Sequence, residues 1–409
     1  MQPLKLFYYF YIVLIPIFQI LVCGSVRLFT WILFSSIIMV LILHKANEIF
    51  LNKMEITLIL LVLALNIFYI LFLEKDFFYG VFSYVIILSI LLAKIFDEYC
   101  SLDELVSFVN KIYMIIISIL FLEYIAYMLG FQEAIAEVLE CELSSITQYK
   151  TLSNNFSDLL GVKIRGLNSS FMGAQVASQI SAISFFWFFM IWASDRDRYS
   201  YLFYWAMLSL ALLIVSPSAT IIIAFVLVIG LIPIACLKCS ENTNFVTIKT
   251  IYSVFLIMII GFYLVLEFAF IRYQDLGNLF QIIVLEQFNV FLKIDIMEFL
   301  FGVDLEDLNY YIEGGPGEIG ILSQTLRIGF IGMLLFGVFI FYVMKPLVGI
   351  FKQISIQESY YILAGVTTLL IHILSDIHYE VIFRDGVMEL FILNLSLLLV
   401  FIKKYRYSP

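Results

Sequence analysis

"MEITLILLVLALNIFYILFL", residues 54–73, holds one charged side chain, Glu55, in twenty positions. A helix needs about 20 mostly apolar residues to cross the hydrocarbon layer of a bilayer. This stretch meets that need, and the rest of the chain resembles it. The protein is 63% hydrophobic and 13% charged, with a mean hydropathy of +1.05. Soluble domains are roughly half apolar and a quarter charged. No aqueous core buries so much apolar surface, so the solvent is lipid. In lipid, a chain without closed barrels must satisfy its backbone in helices.

Working outward from that stretch, twelve runs qualify as candidate spans. They are Leu4 to Val22, Leu28 to Leu43, Met54 to Leu73, Phe77 to Phe96, Leu105 to Leu129, Phe171 to Ala193, Ser200 to Val215, Ala219 to Leu237, Thr250 to Phe270, Ile319 to Met344, Ser359 to Ser375 and Gly386 to Ile402. The first run has no small-residue cleavage site and more spans follow, which reads as a retained helix rather than a signal peptide. The fold class expected is therefore an all-α polytopic membrane protein over residues 1–409, with about twelve transmembrane helices.

Basic residues in short loops orient such a chain. With both termini inside, the inner segments carry Lys5, Lys45, Lys53, Lys94, Arg196, Arg198, Lys238, Lys249, Lys345, Lys352, Lys403, Lys404 and Arg406. The short outer loops carry Arg27, Lys75 and Arg384. This orientation puts two long loops outside, 130–170 and 271–318. In the first, Ile135, Val138, Leu139, Leu143 and Ile146 follow helical spacing among four glutamates, the pattern of a helix lying on a surface. In the second, "LGNLFQIIVLEQFNVFLKIDIMEFLFGV" (276–303) is too interrupted by charge to span and reads as one or two amphipathic helices ending at Gly302. Long ordered loops on one face tend to carry function.

Ionisable groups inside spans are functional candidates by default. Glu123, Glu267, Arg272, Arg327 and Glu389 fall toward the outer face, and Arg165, Asp376, His378, Glu380, Arg384 and Asp385 stand at outer mouths. Arg327 is nine residues past Glu318, about 13 Å along a helix. An arginine two turns into a span needs a partner, a wet cavity or an anionic ligand. An ion pair with Glu123, Glu267 or Glu389 is one answer; phosphate oxygens, which match the planar guanidinium fork, are the other. His372 lies deeper and reads as a core histidine, and Lys111 and Glu380 as span-end anchors. Cys236 and Cys239 form a CxxC with no second pair or nearby histidine, so neither zinc nor redox chemistry is expected. No basic run suggests nucleic acid, and no Walker loop, GxSxG, HExxH or DxD motif suggests a soluble-enzyme chemistry.

Three stretches resemble the bacterial O-antigen and capsular polysaccharide polymerases (Wzy-type), relatives of the O-antigen ligases. "KIRGLNSSFMGAQVASQISAI" (163–183) resembles the family's arginine–glycine start of a mid-chain span followed by small residues. "LALLIVSPSATIIIAFVLVIG" (210–230) resembles its serine-rich turn between two spans. "FLFGVDLEDLNYYIEGGPGEIGILSQTLRIGFIG" (299–332) resembles its Gly-containing loop before a span with a late Gly-x-x-Gly, here Gly329 and Gly332. Arg272 matches a family arginine ahead of that loop. Pro217 stands where many relatives have arginine, and Glu318 where the ligases place a histidine, which favours polymerase over ligase.

The resemblance implies a GT-C-like, metal-independent glycosyltransferase of the bacterial inner membrane, with no cofactor. Its substrates would be oligosaccharides on undecaprenyl diphosphate, embedded in membrane lipid. A chain-length regulator and a flippase would be its partners. Arg165, Arg272 and Arg327 would clamp the diphosphate; Glu318 would serve as base, with His378 the runner-up. A ligase, a lipid-linked oligosaccharide flippase and a non-catalytic export scaffold are the competing readings.

Overall fold

The computed structural model describes residues 51–72, 81–129, 174–215, 224–230, 293–303, 320–350, 356–376 and 387–406, with isolated positions 9, 39, 40, 221 and 354. Among these residues every regular element is a helix and there is no strand. The helices are α1 (Lys53–Phe72), α2 (Val81–Tyr99), α3 (Leu102–Met128), α4 (Ala174–Ser194), α5 (Ser200–Val215), α6 (Ile296–Phe301), α7 (Gly320–Ile350), α8 (Ile356–Ser375) and α9 (Val387–Arg406).

Five of them, α1, α3, α4, α7 and α8, are long and apolar enough to cross a membrane, and α5 is a shorter apolar helix. In α2, Lys94, Asp97 and Glu98 interrupt the apolar run, as do Glu389, Lys403 and Lys404 in α9. Segment 130–170 lies outside the described residues, and of 271–318 residues 293–303 are described. The candidate spans Leu4 to Val22, Leu28 to Leu43 and Thr250 to Phe270 also lie outside them, apart from positions 9, 39 and 40.

The chain divides into two compact units. The first contains α3, α4, α5 and α8. Its centre is α4, packed against α5 and α8. Ala177, Ser178, Ser181, Ala182 and Ser184 of α4 are buried, as are Ala364, Thr367 and Thr368 of α8. Small residues let helix backbones approach where lipid offers no hydrophobic drive between helices. Their hydroxyls are used locally: Ser181 Oγ donates to Ala177 O at 2.7 Å and Thr367 Oγ1 to Leu363 O at 2.7 Å. Trp187 donates its indole N–H to Asn110 Oδ1 at 2.7 Å and lies against Tyr113, which ties α4 to α3.

The second unit contains α1, α2, α6, α7 and α9. Every residue of α9 from 387 to 402 is buried, with α2 and α7 as neighbours. On α1, Leu58, Val62, Leu65 and Tyr69 form the buried stripe, while Leu60, Leu63, Ile67 and Ile70 are exposed. On α7, Phe330, Leu334 and Phe341 are exposed. A helix meeting water places polar residues on its outer face. Outer faces as apolar as the buried ones mark helices that meet lipid.

One end of this unit collects Lys94, Lys403 and Lys404, whereas Lys293 lies two residues before the N-cap of α6. Lys94 pairs with Glu55 at 2.8 Å, Lys403 pairs with Asp97, and Lys404 Nζ donates to Cys100 O at 3.0 Å. The start of α1 and the ends of α2 and α9 therefore share one end. Asn52 caps α1 there, exchanging hydrogen bonds with Glu55 at 2.7 and 2.9 Å, and its amide donates to Tyr342 Oη at 2.9 Å. That last contact brings the later part of α7 to the same end.

Candidate functional site at a broken helix

The opposite end of the second unit holds Arg327. From Lys53 to Tyr69 along α1 is about 24 Å, and from Phe330 to Lys345 along the unbroken part of α7 about 22 Å. α7 is interrupted two residues after Arg327: Gly329 has φ 70° and ψ 168°, outside helical values. Carbonyls next to such a break lose their helical partners. In lipid an unsatisfied carbonyl costs several kcal/mol, so an interruption persists only where protein supplies donors.

Donors are supplied from two sides. Val303 N–H donates to Leu326 O at 2.6 Å, and the buried hydroxyl of Tyr69 donates to Ile328 O. Val303 follows α6, whose placement has a local cause. Asp295 and Glu298 form a capping box, each side chain accepting the other's backbone N–H at 2.8 Å. Gly302 ends the helix at φ 87°, a left-handed value that glycine adopts without steric cost. Phe299 stacks on Phe330 at 5.4 Å, and Phe301 meets Phe68 at 4.7 Å. The Gly302 and Gly329 backbones are pressed together at the centre. Gly332, one turn on, leaves room for the Tyr69 hydroxyl, which would lie 3.3 Å from a Cβ there.

The half-buried Arg327 thus sits in the last helical turn before an interruption braced by α1 and α6. Backbone held in an uncommon conformation by its surroundings tends to cluster at functional sites. Glu389, one of the acids considered as an arginine partner, is buried in the first turn of α9 in this same unit. Glu318, His378, Arg165, Arg272 and Glu267 lie outside the described residues.

The first unit has its own buried polar cluster. Gln179 Nε2 on α4 donates to Ser375 Oγ at 2.6 Å and lies 3.3 Å from His372 Nδ1 on α8. Ser375 Oγ in turn donates to His372 O at 2.9 Å. His372 is fully enclosed, so it forms part of the helix contact rather than an open wall.

The other end of that unit is polar and exposed. Arg198 pairs with Asp103 at 3.1 Å, and a cavity of about 380 Å³ lies between Asp103, Glu104, Lys111 and Arg198. Two acids and two bases there give no preference for an anion. Burial pushes the Tyr199 phenol up from its ordinary pKa, and its hydrogen bond with Tyr361 adds to the shift.

Sequence reasoning missed Tyr69, Gln179 and the Glu55–Lys94 pair. A polar side chain in the buried register of an apolar helix was the available signal for Tyr69 and Gln179. Among the described residues, no group of three or more His, Cys, Asp or Glu side chains is placed to hold a metal ion. No protein-family model matches the chain, and no curated protein or solved structure matches it.

Proposed function

We propose that the chain is an oligosaccharide repeat-unit polymerase of the bacterial inner membrane, with about twelve spans in a GT-C-like arrangement and both termini cytoplasmic. The observation that carries the reading is Arg327: a half-buried cation beside a braced helix break, at the end of its unit opposite the cluster of Lys94, Lys403 and Lys404. Lysine-rich ends face the cytoplasm by the positive-inside rule, so Arg327 would face outward, where a carrier lipid presents its headgroup.

In this reading the hydroxyl of a lipid-linked repeat unit attacks the anomeric carbon of a glycan on undecaprenyl diphosphate. A new glycosidic C–O bond forms and the C–O bond to the diphosphate breaks. The hydroxyl proton passes to Glu318, or to His378 if that residue is the base, and undecaprenyl diphosphate departs. Most of the charge develops on the leaving diphosphate, so positioned cations are the largest expected contribution. Arg165, Arg272 and Arg327 are the candidates, and arginine stays charged at every working pH. A chain-length regulator and a flippase are the partners such an enzyme requires.

The test is the gel ladder of surface glycan with and without the protein, and with Arg165→Glu, Arg272→Glu and Arg327→Glu. The polymerase reading expects single repeat units on deletion and on charge reversal, with the protein still inserted. Complete loss of surface glycan, with repeat units held inside, indicates a flippase. Full-length chains left on their lipid carrier indicate a ligase. An unchanged ladder after charge reversal indicates a scaffold.

A further inference from the structure

We infer that Tyr69 is a positioning residue for Arg327, acting through the broken turn of α7. The inference rests on the polymerase reading above and names a part of the same site that no motif suggested. Arg327 has no continuous helix on its C-terminal side to fix it, because the backbone leaves helical geometry at Gly329. Its backbone position is set by what holds residues 326 to 329.

Two side chains of α1 serve that purpose from adjacent positions. Tyr69 is 1% exposed and its hydroxyl donates a hydrogen bond to Ile328 O, the carbonyl of the residue after Arg327. Phe68 packs on Phe301, which holds α6 where Val303 can donate to Leu326 O, the carbonyl immediately before Arg327. The carbonyls of the residues before and after Arg327 are thus tied to donors outside α7, and α1 supports both ties. The Arg327 carbonyl itself lies against Gly302, where no Cβ would fit. An apolar ring alone would fill the space at position 69. The hydroxyl adds a directional bond to one backbone atom, and that bond sets the turn carrying the guanidinium.

A cation that stabilises a leaving diphosphate must be in place before charge develops, and a misplacement of ~1 Å can cost about a hundredfold in rate. Losing the Tyr69 hydroxyl should therefore lower kcat and leave KM for the acceptor unchanged.

The experiment uses the full chain in lipid nanodiscs with its lipid-linked repeat units, and measures kcat, KM and thermal midpoint for four proteins. These are wild type, Tyr69→Phe, Arg327→Gln and the double variant. The inference expects Tyr69→Phe to lower kcat about tenfold or more, with KM unchanged and the midpoint close to wild type. It also expects Tyr69→Phe to add nothing to the loss already caused by Arg327→Gln, because residues acting as one unit are non-additive. Gly332→Ala provides a second route, since its Cβ would crowd the Ile328 side chain at 3.2 Å and the Tyr69 hydroxyl at 3.3 Å; by disturbing both partners of the tie it should lower kcat in the same direction.

If Arg327→Gln lowers kcat while Tyr69→Phe does not, or if the two losses multiply, the inference is overturned and the polymerase reading stands. If Arg327→Gln leaves kcat at the wild-type value, Arg327 has no part in the reaction and the positioning role falls with it, though elongation itself remains. If wild-type protein elongates no chain, the polymerase reading is overturned, and this inference with it.

Discussion

Gly302 and Gly329 meet backbone to backbone: a Cβ on Gly302 would lie 2.9 Å from the Gly329 nitrogen, and a Cβ on Gly329 would lie 2.5 Å from the Gly302 nitrogen. Both residues have positive φ, 87° and 70°. The contact is reciprocal, so neither side can be relieved by moving a flexible side chain. Gly302→Ala and Gly329→Ala should each destabilise the second unit, with the backbone conformation alone costing about 1–3 kcal/mol and the clash adding to it. Gly337 and Gly349 sit in the same helix with open space around the built Cβ. Alanine there should be neutral or stabilise by up to about 1 kcal/mol through helix propensity. Thermal unfolding of the four variants in one detergent checks the contrast; equal losses at all four sites would contradict it.

Two of the ion pairs at the polar ends should behave differently. Lys94 and Glu55 are 10% and 6% exposed and 2.8 Å apart. Removing one partner of a buried pair strands the other charge, at about 3–5 kcal/mol, whereas replacing both with apolar groups is often neutral. Lys94→Met should therefore be strongly destabilising, and Glu55→Leu with Lys94→Met should recover most of the loss. Arg198 and Asp103 are exposed on both sides, where salt and water screen the pair. Asp103→Asn should leave the unfolding midpoint unchanged at moderate salt.

The helices were legible because lipid imposes a coarse requirement that composition meets directly. Ser200–Val215 has the bounds expected from its apolar run, since the polar turn 195–199 precedes it. The helix expected from Ile319 to Met344 continues to Ile350, past Lys345 and Pro346. Lys345 does not stop it because its ammonium lies over the Phe341 ring at 5.6 Å while the stem stays along the helix. The Gly-x-x-Gly of 329 and 332 marked small residues, but spacing cannot distinguish close packing from a positive φ. The break depends on donors from residues 69 and 303, far away in sequence, and no local pattern announces a partner that distant. The Glu55–Lys94 pair was hidden for the same reason: each residue alone reads as an ordinary span-end charge.

The cluster on α4 and α8 separates polar groups that are used from those that are not. Gln179 supplies a hydrogen bond to Ser375 and faces His372, so Gln179→Leu should cost about 1–3 kcal/mol, the usual penalty for stranding buried partners. Ser184 is equally buried, yet among the described residues its Oγ has no hydrogen-bond partner. Ser184→Ala should be neutral or mildly stabilising. Chemical denaturation followed by Trp187 fluorescence reads both, because that indole is buried on the same helix.

Arg327 itself allows a test of what kind of cation the site needs. Under the polymerase reading, Arg327→Gln removes one charge-stabilising contact and should slow elongation about 10²–10³-fold. Arg327→Lys keeps the charge but replaces a planar fork with a point charge on a flexible stem, so bidentate contact with phosphate oxygens is lost. The lysine variant should fall between wild type and glutamine, and the surface glycan should report this as a ladder shifted toward fewer rungs. Substituting Asn52 by alanine provides the control. That residue caps α1 at the lysine-rich end, more than 20 Å along the helix from Tyr69 by a rise of about 1.5 Å per residue, and its loss should lower stability with no change in rung distribution per folded protein. A lysine variant indistinguishable from wild type would mean that charge alone suffices. A glutamine variant with a full ladder would remove Arg327 from the chemistry and leave the braced break as a structural feature of α7.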